Sequence, residues 1–426
     1  VGTQATILFA SAANAIILNR VLQPEGRGMV GLVMLGAPLL GVLGVAGWAN
    51  ANTWYVSRFP HAARSVWSST VLAGLPLSLC LMAGGYFLLP YVFSGHEPIW
   101  SLARWLLLII PLHIVLMAST SVLEGLGLFK QTAWIRAGAV LAVLVLLLGL
   151  VAAGNLTPTT YIGGVFVSTA AALVLSVWVV ARSSAGGWGP QFAERPRFAL
   201  LTAPYVWASA LQIHIDQLLI AAVMPSDETA FGVYVASANV ARLLGPATIG
   251  LSMVLLPASA KRSQQASIQL FCRSVRFYLI AALATMLPLE LLASQALTIA
   301  YGRVYASGAI ILRVSLVGAA LTGILRLGIS VLQGQGKPTL ATGIGMAVLL
   351  ISVGTGLALL PWLGYVGAAL GPCVGACCGL AILVRALAPE LSLAELVPRR
   401  GDIVFLFDSI NRRLRPSVAS ATQGKT

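Results

Sequence analysis

The chain has 426 residues, 58% hydrophobic and 9% charged, whereas soluble domains carry about a quarter charged residues, so most of it is built for lipid rather than water. The formal net charge of +14 would suggest nucleic acid in a soluble protein, but the basic residues fall in short loops between apolar runs, which discounts that partner. No Gly-rich phosphate loop with a following lysine and no long extramembrane stretch occurs, so neither an enzyme nor a cofactor site is expected.

Runs of the length needed to cross a hydrocarbon core, about 20 residues, recur from the first residues to Ala386. Span one, 3–21, is apolar from the start and is expected to act as its own targeting element; Asn14 lies within it and Arg20 near its end. Arg20 and Arg27 frame the turn into span two, 29–56. Spans three to six follow at 66–93, 101–124, 133–154 and 158–181, with Arg104 early in span four and Glu124 at its end. Spans seven to twelve are expected at 198–223, 229–257, 275–299, 309–333, 339–360 and 364–386. An all-α polytopic membrane protein of about twelve helices results. It is divided into a first six-helix bundle (1–182), a cytoplasmic linker (183–197), a second six-helix bundle (198–387) and a cytoplasmic tail (388–426).

With both termini in the cytoplasm, thirteen basic residues from Arg58 to Arg385 fall in inner loops, and three, Arg20, Arg27 and Arg303, in outer ones. The positive-inside rule therefore fixes that orientation, at a bacterial inner membrane.

The halves resemble each other. Span four ends SVLEGLG at Ser121 to Gly127 and span ten ends SVLQGQG at Ser330 to Gly336, each with a lysine shortly after. Span six opens YIGG at Tyr161 and span twelve YVGA at Tyr365, an offset of 204 that also relates Gly28 to Gly232 and Arg58 to Arg262. Because spans one and seven both start inside, the repeat is parallel, which implies a pseudo-twofold axis along the membrane normal and a central cationic cavity between the bundles.

Charges in mid-membrane cost about 2.5–3.5 kcal/mol each on insertion scales, so each needs a partner or a wet cavity. Arg242 in span eight and Arg326 in span ten are candidate cavity cations, although helix tilt can also bring Arg326 near the inner surface. Arg104, Arg313, Arg20 and Arg27 mark an outer mouth or snorkel at headgroup level. Arginine outnumbers acid inside the spans, and its planar fork matches phosphate oxygens bidentately, so the environment suits an anion. Asp216 in span seven, with His214 beside it and Asn14 at the corresponding place in span one, either binds a coupling ion such as H+ or Na+ or pairs internally with an arginine. His113 and His214 are expected as core histidines, Glu124 as a residue near the inner surface, and Glu290 either facing the cavity or at the outer interface. Prolines 38, 76, 111, 246 and 288 interrupt spans. Cys80, Cys272, Cys373, Cys377 and Cys378 have no metal spacing, and the last three fit small-residue helix packing. In the tail, Ile403, Leu406, Phe407, Ile410 and Leu414 share one face beside Arg412, Arg413 and Arg415, the pattern of a helix lying on membrane lipid.

The turn ILNRVLQPEGRGMVGL (Ile17 to Leu32), its counterpart DQLLIAAVMPSDETAFGVYVASA (Asp216 to Ala238) and the SVLEGLG and SVLQGQG turns resemble the polysaccharide flippases of the multidrug, oligosaccharidyl-lipid and polysaccharide exporter superfamily, over about residues 1–387. The resemblance implies alternating access and export of undecaprenyl-pyrophosphate-linked oligosaccharides for O-antigen, capsule or exopolysaccharide. Arg242 and Arg326 would then meet pyrophosphate or acidic sugars, Asp216 would tie ion binding to the switch, and a polysaccharide polymerase is a possible partner. A cation-coupled drug antiporter of the same superfamily and a membrane glycosyltransferase or polymerase are the alternatives; the first favours cavity acids and the second a long catalytic outer loop.

Overall fold

The computed structural model describes residues 2–45, 47–92, 97–184, 187, 195–224, 227–260, 262–387 and 396–398. The expected interfacial helix at 403–415 lies outside them, as does most of the tail and linker. Among the described residues all regular structure is helical. The helices are α1 (Gly2–Val45), α2 (Trp48–Arg58), α3 (Ala63–Val92), α4 (Glu97–Leu106), α5 (Ile109–Gly125), α6 (Phe129–Ala152), α7 (Pro158–Ser183), α8 (Arg195–Val223), α9 (Glu228–Ala241), α10 (Gly245–Ala260), α11 (Gln264–Leu291), α12 (Ala293–Tyr301), α13 (Ala309–Gly334), α14 (Pro338–Leu363) and α15 (Tyr365–Leu387).

Ten described segments are long and apolar enough to cross a membrane. One of them, α1, is two crossings, because Gln23 (φ 56°, ψ 175°) breaks the helix and turns the chain back. The broken pair α9 and α10, joined by a 3-10 turn over Arg242–Leu244, makes a further crossing, so twelve are accounted for. The protein is a multi-pass membrane protein of two helical bundles. Large apolar side chains such as Leu79, Phe87, Val145, Val174 and Trp362 stand exposed on its perimeter, where water would drive aggregation and lipid is the natural solvent.

Several span boundaries move. Span nine, expected at 275–299, is α11 from Gln264, because Ser263 caps the helix (its side chain accepts from Ala266 N–H) and the helix runs on through Arg273 and Arg276. Span two ends at Val45 and resumes as α2. Span four divides into α4 and α5 at 107–108, where Pro111 has no N–H to give the Leu107 carbonyl and Ile110 N–H bonds it instead at 3.0 Å. Span eight breaks where Pro246 supplies no N–H for the regular ladder; Gly245 N–H bonds instead to Arg242 C=O three residues back.

The repeated motifs adopt the same structure. In SVLEGLG, Leu128 N–H bonds Leu123 C=O (2.9 Å) and Gly127 N–H bonds Glu124 C=O (3.0 Å); in SVLQGQG, Lys337 bonds Leu332 (3.0 Å) and Gly336 bonds Gln333 (3.1 Å). Both are Schellman ends, with glycine at φ 76° and 73°, a conformation that L side chains rarely adopt. The offset of 204 is also visible in space, where α1 packs on α9. A Cβ at Gly28 would run into the Glu228 carbonyl and one at Gly232 into the Pro24 carbonyl, and Pro24 and Glu228 are themselves 204 apart. Such reciprocity is the mark of a twofold contact, and it puts the pseudo-axis beside this glycine pair.

Within the second bundle, Gly367, Gly371, Gly375 and Gly379 recur every fourth residue on α15 and bring three of its turns onto the α14 backbone near Ser352, Gly356 and Leu359. The neighbouring Cys373, Cys377 and Cys378 are free thiols, and no metal-binding cluster occurs among the described residues.

Candidate functional site

A cavity of ≈ 350 Å³ opens within the second bundle. On α8 its wall is Tyr205, Ala208, Ser209, Gln212, Ile213 and Asp216, and on α13 it is Ser315, Gly318, Ala319, Thr322, Gly323, Arg326 and Ile329, each set following one helical face. Arg242 and Thr248 contribute from the broken span, and Pro372 from α15. Most wall residues are small, which leaves the volume unfilled. All of them lie between Tyr205 and Pro372, so this cavity is walled by the second bundle alone rather than by facing surfaces of both.

Asp216 anchors the polar part. It is buried (6% exposed), accepts a 2.6 Å hydrogen bond from the Tyr234 hydroxyl on Oδ2, and has Oδ1 4.0 Å from Arg242 Nη2. Arg242 is held by two further acceptors, Asn239 Oδ1 at 2.9 Å and the Ile213 carbonyl at 2.8 Å. The Ile213 carbonyl is within reach because α8 passes next to the 3-10 break that carries Arg242. The fork is thus fixed at one edge while still lining the cavity. Arg326 faces the same cavity from mid-α13, within electrostatic reach of the Tyr205 and Tyr278 hydroxyls, and makes no ion pair among the described residues. Two guanidiniums against one carboxylate give the cavity a net positive character. In so apolar a setting that charge acts strongly on an anion.

The remaining sequence candidates are placed elsewhere. Asn14 donates to the Tyr161 hydroxyl at 3.3 Å inside the first bundle. His214 points off the cavity face, and its Nδ1 is buried without a hydrogen-bond partner among the described residues. Arg313 donates to the Glu290 carbonyl at 3.0 Å, and Arg104 lies over the Tyr86 ring at 4.9 Å, so neither lines this cavity. Arg20 bridges the bundles, donating from Nε to the Ala300 carbonyl at 2.9 Å and from Nη2 to that of Ile299. Glu124 pairs with Arg136 at 2.6 Å near the end of α5. Sequence reasoning passed over Tyr234 as a ligand of Asp216; the Gly-x-Tyr of Gly232 to Tyr234 was visible, but its register against α8 was not.

Bundle-to-bundle hydrogen bonds gather at the end that carries Gln23. Tyr305 O–H donates to the Asn19 carbonyl at 3.0 Å next to the Arg20 bridge, and Gln23 Nε2 closes the turn onto the Arg20 carbonyl at 2.7 Å. Deeper in the membrane domain Trp207 Nε1 donates to the Leu43 carbonyl at 2.9 Å.

No protein-family model and no curated protein sequence matches the chain. Solved structures do. An inward-facing multidrug resistance transporter of the MATE family and MOP superfamily superposes with a TM-score of 0.74 at 18% identity, over 91% of this chain and 96% of that one. The lipid II flippase MurJ, in an inward closed conformation, gives 0.72 at 15% identity, over 97% and 92%. An outward-facing MATE transporter gives 0.68 at 16%, over 90% and 93%. The chain therefore shares the two-bundle, multi-pass fold of these proteins, a fold found both in multidrug resistance transporters and in a lipid II flippase.

Proposed function

We propose that this protein is a flippase that carries an undecaprenyl-pyrophosphate-linked oligosaccharide across a bacterial inner membrane by alternating access, for assembly of O-antigen, capsule or exopolysaccharide. The observation that carries this reading is the cavity pair Arg242 and Arg326, against a single carboxylate already engaged by Tyr234 and Arg242. A pyrophosphate docks bidentately on guanidinium, and the small, largely apolar remainder of the wall suits the prenyl-proximal part of such a lipid. With the basic loops read as cytoplasmic, Gln23 lies at the outer face and its bundle-to-bundle contacts describe an outer closure. The higher TM-score with an inward-facing than with an outward-facing transporter, 0.74 against 0.68, agrees with that orientation.

Asp216 is the proposed coupling residue. A proton or Na+ on its carboxylate weakens its hold on Arg242 and frees that cation for substrate, which links ion binding to the state of the cavity. A polysaccharide polymerase acting next on the delivered lipid is a reasonable partner. The second reading, a cation-coupled drug antiporter, draws on the MATE neighbours; the excess of arginine disfavours a cationic cargo.

The test is uptake of a labelled polyprenyl-pyrophosphate oligosaccharide in proteoliposomes by the parent protein and by Arg242→Ala, Arg326→Ala and Asp216→Asn. Transport by the parent and its loss in correctly inserted arginine variants supports the flippase. A parent that ignores such lipids but expels organic cations transfers the assignment to the antiporter.

A further inference from the structure

At the Gln23 end of the bundles another cation is held in conditions unlike those of the cavity. Arg27 is 9% exposed, and its Nε has no hydrogen-bond partner among the described residues. Its electrostatic neighbours are Tyr161 from the first bundle, Tyr301 and Tyr305 from the second, and the Arg242 guanidinium of the cavity; no carboxylate is among them. The rings of Tyr301 and Tyr305 meet at 5.6 Å, edge to face. A buried guanidinium surrounded by neutral hydroxyls and a second cation disfavours the state that buries it. That state is held by contacts around Arg27 rather than by Arg27: the Tyr305 bond to Asn19, the Arg20 bonds to Ile299 and Ala300, and the Gly28 to Gly232 backbone contact.

We infer that Arg27 is an anion-binding residue of the transport path, kept dehydrated and unneutralised while the Gln23 end is closed, and taking the phosphate-bearing part of the cargo from Arg242 as that end opens. The chemistry is that of an oxyanion on guanidinium, and the cargo assignment rests on the flippase reading above. Two arginines within electrostatic reach of each other, one from each bundle, form a relay: an anion carried on Arg242 meets Arg27 only as the bundles separate at this end, and its binding there favours the open state. The three tyrosines surround the guanidinium with neutral hydroxyls, so no permanent counter-ion competes with cargo.

The sign of the Arg27→Gln effect distinguishes this role from that of a structural strut. Probes introduced as noncanonical residues at Val21 and Ile299, 45% and 73% exposed on either side of the closure, report its opening by distance measurement in nanodiscs. Inorganic pyrophosphate is the soluble probe of the anion site. The parent is expected to show a longer distance when pyrophosphate is added. In Arg27→Gln the shorter distance gains population, the pyrophosphate response is lost and lipid transport falls about tenfold or more, the scale of one charge-assisted hydrogen bond, with Arg27→Lys intermediate. Tyr305→Phe, which removes a closing bond, is expected to favour the longer distance. An Arg27→Gln variant that opens the end, or that keeps the full pyrophosphate response, overturns the inference. If the parent transports organic cations rather than lipid pyrophosphates the flippase reading fails, whereas the pyrophosphate-driven distance change still decides the role of Arg27.

Discussion

In the first bundle the helices of span four bury Leu106, Ile109, Ile110 and Ile114 in an apolar core that continues into the second bundle through Ile220, Phe231 and Tyr234. The residues 209 positions on, in register with the SVLEGLG and SVLQGQG turns, are Ser315, Gly318, Ala319 and Gly323, and they wall the cavity. Polar residues diverge in the same direction: Met117 corresponds to Arg326, Pro38 to Arg242 and Asn14 to Asp216. One backbone plan thus serves two purposes. At these positions the first bundle is filled and neutral, and the second is emptied and charged. Arg104 and Arg313 are also 209 apart, and both are engaged away from the cavity, one over Tyr86 and the other on the Glu290 carbonyl. Their shared position fits a role at the membrane surface that both halves need.

The largest effect expected from this comparison is loss of the cavity charge. Arg242→Ala and Arg326→Ala should each lower transport of a lipid pyrophosphate about 10- to 100-fold, from about 1.5–3 kcal/mol per charge-assisted contact, as read from initial rates in proteoliposomes. An Arg326→Met variant, which copies the first bundle at this position, should do the same with no loss of thermal stability. If it transports normally, the asymmetry of charge has no part in binding.

Next in size are changes of volume. Ile110→Ala opens a hole in the filled bundle and should cost about 2–5 kcal/mol of stability without creating a transport path, checked by thermal unfolding in detergent. The reverse exchange, Ser315→Leu with Ala319→Ile, fills the cavity with the first bundle's own side chains. It should abolish transport while leaving the unfolding temperature unchanged or higher. Retained transport would separate this cavity from the path of the cargo.

The seam between the bundles should respond more gently. Gly28→Ala and Gly232→Ala each place a methyl against a carbonyl of the opposite bundle, an overpacking of about 1–3 kcal/mol, and because the contact is reciprocal the two should be similar in size. A large difference between them would argue against the pseudo-axis. The smallest effect belongs to Glu124→Gln. Its ion pair with Arg136 is partly open, with side chains 25% and 43% exposed, and has no charged counterpart at Gln333. Less than about 1 kcal/mol and unchanged transport are expected.

Much of this organisation was legible in the chain itself. Apolar runs located the crossings, because in lipid only a helix satisfies its own backbone, and the Gly-ended SVLEGLG and SVLQGQG strings announced equivalent helix ends, because a left-handed residue there favours glycine. The same offset located Gly28 and Gly232, though not that they touch. Helix breaks were harder to place. Proline at 111 and 246 signalled trouble, but only competing local hydrogen bonds decided that one break would fall at 107–108 and the other on Arg242 itself.

The sequence by itself determined that the protein lives in a membrane, that its halves are copies, and that Asp216, Arg242 and Arg326 require partners or water, since composition, period and the cost of buried charge depend on the chain alone. Only the tertiary structure decided which of those charges meet. Asp216 meets Tyr234 and Arg242 because side chains of a broken helix reach across to α8; Arg20 and Arg313 are spent on carbonyls of neighbouring helices; and Arg27 is buried with tyrosines and Arg242, and no carboxylate, as its electrostatic neighbours among the described residues. Those outcomes depend on contacts between residues up to 280 positions apart, and no local pattern encodes the rotation of one helix against another.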